Sequence, residues 1–283
     1  MATAVILGAG DIGGALARQL AALDVVNRIV IVDDLANVAA GKALDVAQSA
    51  PVDGYHTAMS GTSDLAAVVG AAVVIVADIV SQPVKEWKDD GGLALVKRIS
   101  GLNQTAPIIC AGAGQASVIE RGVNEGGISR LRLFGSAPEA FRSAVIAIVA
   151  LEANASPSDI SLSVLGRAPQ QIIVPWDEVA IAGRSATAVL SAAQLARLDA
   201  RIARLWPPGP YALGSAAARL IQTALTRAPR VHAATVAVTR EEGSPGLSAM
   251  MPVTLGPAGI ATLVPPALSA RDRVRLETTM RAV

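Results

Sequence analysis

"AVILGAGDIGGALARQL", residues 4–20, joins an apolar run to three glycines spaced G-x-G-x-x-G and then to an apolar pattern at helical spacing. The order strand, tight turn, helix is the one in which amides at a helix N-terminus meet the pyrophosphate of a dinucleotide. The spacing alone is a weak signal, but its context here is complete. Gly8, Gly10 and Gly13 follow a strand-like run and open a helical one, and Asp33 ends the next strand-like run twenty residues after Gly13. Gly8 permits the turn, Gly10 lets the backbone approach the pyrophosphate, and Gly13 lets helix and strand pack closely. Asp11 and Ile12 contribute the first helical amides. Asp33 is placed to accept hydrogen bonds from the adenosine ribose, and its charge would repel a 2′-phosphate, so the pattern favours NAD over NADP. The same glycines also suit helix–strand packing alone, because such a fold can outlive its ligand.

Outward from this stretch, short β-branched runs alternate with helical patterns through the first half. Strands are expected at 4–8, 28–33, 55–61, 72–77, 107–111 and 131–136, with helices near 11–22, 37–49, 63–70, 92–103, 115–124 and 138–153. Strands without alternation, separated by helices, imply a parallel sheet covered on both faces. With right-handed crossovers this is a Rossmann-type, doubly wound α/β domain. The second half bunches its strands (159–166, 170–175, 230–238, 248–256 and 259–264) around helices at 192–205 and 211–226, and a last helix starts near Ser269. That pattern predicts an α+β domain. The expected division is 1–136 and 137–283.

The 283 residues are 52% hydrophobic and 17% charged with a net charge of +1, which supplies a large core and no polyanion-binding surface. Neither nucleic acid nor membrane is an expected partner: the longest apolar stretch, "LAAVVGAAVVIVA", is bracketed by Asp64 and Asp78. The single cysteine, Cys110, in "PIICAG", excludes an internal disulfide and suits a reducing, cytoplasmic setting. Apolar surroundings would keep its thiol inert. The two histidines, His56 and His232, are too far apart to give metal-ligand spacing, and each reads as a surface or core residue.

With these residues in view, the chain resembles the malate/lactate dehydrogenase family. The glycine loop, "GKALDVAQSAPV" (41–52), "GTSDLAAVVGAAVVIVAD" (61–78) and "MMPVTLGPAGIATLV" (251–265) carry the likeness, which covers nearly the whole chain. The resemblance implies NAD as cofactor and hydride transfer to or from a 2-hydroxy/2-oxo acid. It also implies a homodimer paired through the helix at 37–49, where Val38, Leu44, Val46 and Ala47 are apolar and Ala39, Ala40, Gly41 and Ala43 are small.

That chemistry needs a histidine as acid/base, an aspartate to orient it, an arginine to grip the substrate carboxylate and another to polarise the carbonyl. The resemblance sets Ala168, within one residue, at the histidine position, Ala137 and Ala140 at the aspartate and arginine positions, and Gly112 at a nicotinamide-side asparagine. Lys88 and Gln82 fall at the loop arginines, and lysine keeps the charge without the planar fork. Phe141 and Arg142 follow the family pattern. Weak substrate candidates are therefore Lys88 and Arg142, and no catalytic residue is assigned. Trp87, between Lys85 and Lys88, makes a contact surface if exposed and fills the vacated pocket if folded inward. Three readings remain: a non-catalytic NAD(H)-binding member, an active oxidoreductase with a rebuilt site, and a partner-binding relic of the fold.

Overall fold

Each residue of the first apolar run is buried, and the run divides its side chains between two layers: Ala4 and Ile6 enter one core, Val5 and Leu7 the other. A strand buried on both faces must lie inside a sheet sandwiched by helices. The computed structural model, which describes residues 2–80, 85–238 and 246–281, shows this arrangement. In chain order the first half comprises β1 (Thr3–Leu7), α1 (Asp11–Leu23), β2 (Arg28–Val32), α2 (Ala36–Asp53), β3 (Ala58–Thr62), β4 (Val73–Val76), β5 (Asp78–Ile79), β6 (Lys85–Glu86), α3 (Asp89–Leu102), β7 (Ile108–Cys110), α4 (Ala116–Asn124) and β8 (Leu133–Gly135). The second half comprises α5 (Ala137–Ala153), β9 (Ile160–Ser161), β10 (Leu165–Arg167), β11 (Gln171–Ile173), β12 (Ala180–Ile181), β13 (Arg184–Ser185), α6 (Ala186–Val189), α7 (Ala192–Ile202), α8 (Pro210–Thr226), β14 (Val231–Val238), β15 (Leu247–Gly256), β16 (Gly259–Leu263) and α9 (Ala270–Arg281).

The strands β3-β2-β1-β4-β7-β8 lie side by side and parallel, the order of a doubly wound sheet. Beyond β8 the sheet continues antiparallel through β14, β15, β10 and β11, with β16 also paired to β15. The sheet thus runs without a break past residue 136. Helix α8, from the second half, packs on α1 in the core that holds Leu16, Leu20, Ile31 and Leu220. On the opposite face α3 and α4 bring Val96, Ile99 and Ile119 into one core with Val74. A third core joins α5 and α7 through Phe141, Val145, Val149 and Leu198.

Two local expectations are corrected. The strand expected at 55–61 begins only at Ala58, because Tyr55 turns inward and its hydroxyl bonds to Ser49 Oγ (2.7 Å) and the Val46 carbonyl on α2. The helix expected at 63–70 is a single 3-10 turn, Leu65–Val68, capped by the Asp64 carboxylate accepting from the Ala66 N–H at 2.8 Å. Among the described residues no helix is long and apolar enough to cross a membrane, and no cluster of His, Cys, Asp or Glu is arranged to hold a metal.

Candidate functional site

The strand order reverses between β1 and β4, since the chain leaves β1 toward β2 on one side and leaves β4 toward β7 on the other. Ligands of doubly wound sheets bind at this reversal, outside the C-terminal strand ends. The glycine loop lies there. Gly8, at φ +113°, turns the chain out of β1 and donates to the Val32 carbonyl (2.7 Å). Gly10 precedes α1 in extended conformation, and Asp11 begins the helix. Asp33, 6% exposed, accepts from the Ala9 N–H (2.9 Å) and the Leu35 N–H (3.0 Å), which fixes its carboxylate at the end of β2.

The amides at the start of α1 already have an anionic partner within the chain. Asp78, the first residue of β5 and 2% exposed, accepts from the Ile12 N–H through Oδ2 (3.0 Å) and from the Gly13 N–H through Oδ1 (2.9 Å). Its charge lies at the positive end of the helix dipole.

A second carboxylate repeats the arrangement one strand away. In β6, Glu86 is paired in register with Asp78 and is itself buried. Its Oε1 accepts from the Ala113 N–H (3.0 Å) and its Oε2 from the Gly114 N–H (2.6 Å), in the loop after β7. Gln115 braces that loop, accepting from the Gly112 N–H (2.8 Å) and donating to the Ala77 carbonyl (3.2 Å). Burial, with the charge of Glu86 added, pushes the Cys110 thiol up to about 12, so it stays protonated and inert. Lys88 is exposed and runs beside Gly114. Trp87 folds inward, lining a cavity of about 460 Å³ with Asp33, Ser63, Asp64 and Arg98.

The Gly112–Gly114 loop also borders a cavity of about 380 Å³, lined further by Ala168, Trp206 and Met250. Its charged groups are Glu120 and Arg167, 4.0 Å apart, and Glu120 also accepts from the Ser248 N–H (2.9 Å) and hydroxyl (3.2 Å). Arg142 does not border this cavity. Its guanidinium donates to Glu139 at 2.5 and 3.1 Å. Glu139 also accepts from the Ala233 N–H on β14 (2.8 Å) and lies 3.2 Å from Nδ1 of His232, off the line of a hydrogen bond. The Nε2 of His232 meets the Thr223 hydroxyl at 2.8 Å. Burial pushes the Glu139 carboxyl up, but the His232 ring and the Arg142 guanidinium outweigh it and hold the group at about 2. His56, by contrast, is exposed and faces Asp24 at 3.3 Å.

No family model matches the chain. Curated relatives match along its length. Malate dehydrogenase of Thermomicrobium roseum is 26% identical, the match covering 98% of this chain and 94% of that one. Malate dehydrogenase of Sorangium cellulosum is 28% identical over 98% and 94%. Among solved structures, the malate dehydrogenase from Aeropyrum pernix superposes with a TM-score of 0.87 at 17% identity, over 99% of this chain and 96% of that one. The lactate dehydrogenase of Cryptosporidium parvum, complexed with lactic acid and NAD, gives 0.86 at 19% identity, over 99% and 95%. Along nearly its whole length the chain is thus similar to malate dehydrogenases, and its fold is that of malate and lactate dehydrogenases.

Against that family's pattern, the structure puts Ala137 and Ala140, each 2% exposed, in the first turn of α5 inside the core, and Ala168 on the wall of the smaller cavity. Gln82 lies outside the described residues. Reading the sequence for this family's residues missed Asp78, Glu86, Glu120 and Arg167. For Asp78 a signal was present: a carboxylate directly after a buried β-branched strand, in "VVIVADIV", must find donors there or not fold.

Proposed function

We propose that this chain is a non-catalytic member of the malate/lactate dehydrogenase family, a pseudoenzyme without the 2-hydroxy-acid dehydrogenase set. One observation carries the reading: Ala137, Ala140 and Ala168 stand where resemblance calls for aspartate, arginine and histidine. Neither histidine substitutes, since His232 is buried between Thr223 and Glu139 and His56 sits beside Asp24. Without an imidazole no group of suitable pKa stands beside a substrate hydroxyl. The dinucleotide that the family implies is NAD, held through Gly8, Gly10, Asp11, Ile12, Gly13 and Asp33. As built, the loop does not fit its pyrophosphate, because the Ile12 and Gly13 amides are engaged by Asp78. The single, inert Cys110 is in keeping with a cytoplasmic location.

The test is NADH consumption with oxaloacetate, pyruvate and longer 2-oxo acids at high enzyme concentration. The expected rate equals that of the protein-free control. Sustained turnover would overturn the reading in favour of a rebuilt oxidoreductase. In that second reading the Arg167–Glu120 pair in the smaller cavity, rather than Arg142 or Lys88, supplies the anchor for a substrate carboxylate. Loss of the turnover in Arg167→Ala, with Arg142→Ala active, would assign it.

The same reading has the chain pairing with a second copy through α2. Leu44, Val52 and, at the start of α8, Tyr211 are exposed by 59, 88 and 82%, while Val46 of the same helix faces the chain's own core. Residues of α2 and α8 share one groove, lined by Lys42, Ser49 and Tyr211. Light scattering at micromolar concentration is expected to give twice the 28.7 kDa chain mass. Leu44→Glu, which puts a charge at the two-fold, is expected to shift it to the monomer. A wild-type monomer would remove the pairing.

A further inference from the structure

We propose that the β5–β6 pair is a built-in occupant of the dinucleotide cleft, with the Asp78 carboxylate standing where a pyrophosphate would lie, so that the wild-type chain does not take up NAD(H). The inference rests on the family reading of the glycine loop and replaces its expected ligand with a segment of the chain itself.

Four observations converge. First, Asp78 engages two successive amides of α1, at 3.0 and 2.9 Å, from a position 65 or 66 residues away in sequence. It is therefore no local helix cap but a group delivered from the neighbouring strand at the strand-order reversal. Second, the fit leaves no room. A Cβ built on Gly10 would overlap Oδ2 of Asp78, so the close backbone approach that Gly10 offers is already used by the carboxylate. Third, Asp78 is 2% exposed. A diphosphate brought to the same amides would meet a like charge in a site with little water to screen it. Expelling Asp78 instead would break both of its charge-assisted hydrogen bonds. Fourth, Glu86 does the same on the nicotinamide side. It sits directly opposite Asp78 in the pair and engages the amides of Ala113 and Gly114. A Cβ on Gly112 would overlap the Glu86 carboxyl group, so the glycine at the family's asparagine position is what makes space for it. Two carboxylates on facing residues thus span both ends of the cleft. The cavity beside Asp33 and Trp87 remains, bordered by Gly8 and Ile79.

The experiment is a titration of the full chain with NADH, and separately with ADP-ribose, read by calorimetry and, for NADH, by fluorescence. The wild type is expected to show no saturable binding up to about 1 mM. Asp78→Ala removes the competing charge and frees the Ile12 and Gly13 amides. It is expected to bind both ligands at least about tenfold more tightly than that limit. Glu86→Gln is expected to leave ADP-ribose binding as in the wild type, because Glu86 lies beyond the pyrophosphate. Should Asp78→Ala fail to fold by circular dichroism, Asp78→Ser keeps a hydroxyl for the site while clearing both the charge and the carboxyl group from the amides, and the same gain in direction is required of it. Saturable micromolar binding by the wild type, or a folded Asp78 variant with no gain, overturns the proposal. Neither result bears on turnover, so the pseudoenzyme reading stands or falls on its own assay.

Discussion

Glu139→Ala is expected to lower the stability of the chain by about 3–5 kcal/mol in urea unfolding, without touching either cavity. The carboxylate is the common acceptor for Arg142 and the Ala233 N–H and the charge beside His232. It ties the first turn of α5 to β14, and through His232 and Thr223 to α8. Removing it leaves the Arg142 charge partly buried without its carboxylate and the Ala233 N–H without its acceptor. The same group makes a pH prediction. Its pKa is about 2 in the fold against an ordinary 4.5, so the folded state favours the ionised form. That stability, about 3 kcal/mol from the difference, is fully present above pH ~4.5 and is lost as pH falls toward ~2. Glu139→Gln should flatten this part of the acid profile. A wild-type and a Glu139→Gln profile that run parallel between those limits would show that the cluster does not hold the carboxylate in its charged form. The cluster also explains the fate of Arg142. A guanidinium that follows the family pattern in sequence is paired with a carboxylate three residues away, on the same turn of α5.

The parallel half of the fold was legible because its signal is local: each β-branched run and each helical period reports its own burial, as Val5 and Leu7 against Ala4 and Ile6 do. Boundaries failed where a single side chain decided them. Tyr55 looks strand-like by type but spends its hydroxyl on α2, and Asp64 caps a turn too short to become the expected helix. The site was half legible. Gly8, Gly10, Gly13 and Asp33 announce a loop shape, and the structure places them in it. That Asp78 needs donors was legible from its place after a buried strand, but that it finds them in this loop was not, because Asp78 and Gly13 are 65 positions apart and no period or spacing connects them. The alanines at 137, 140 and 168 were legible in the sequence itself, and the structure places two of them in the first turn of α5 and the third on a cavity wall. Arg167 and Glu120 became visible only when β10 and α4 were brought to one cavity wall.

Gly13→Ala is expected to destabilise the chain by about 3 kcal/mol or more in the complete absence of dinucleotide. A Cβ at Gly13 would overlap the carbonyl oxygen of Gly8 and lie 3.0 Å from its carbon. Both partners are backbone, and neither can yield cheaply. Gly8 follows β1, which is held between β2 and β4, and α1 is held by its packing on α8. The strain therefore has to be absorbed by moving α1 as a body, which also draws the Ile12 and Gly13 amides away from Asp78. Gly101→Ala supplies the comparison. That glycine lies in α3 with nothing within 4 Å of a built Cβ, and the change should stabilise by about 0.5 kcal/mol through helix propensity. The contrast decides what the motif is for. If Gly13→Ala is costly without any ligand, the third glycine is required by the crossing of β1 and α1, and its presence in the sequence carries no information about NAD. If it is tolerated within about 0.5 kcal/mol, packing does not require the spacing, and a ligand-based reason for Gly13 returns.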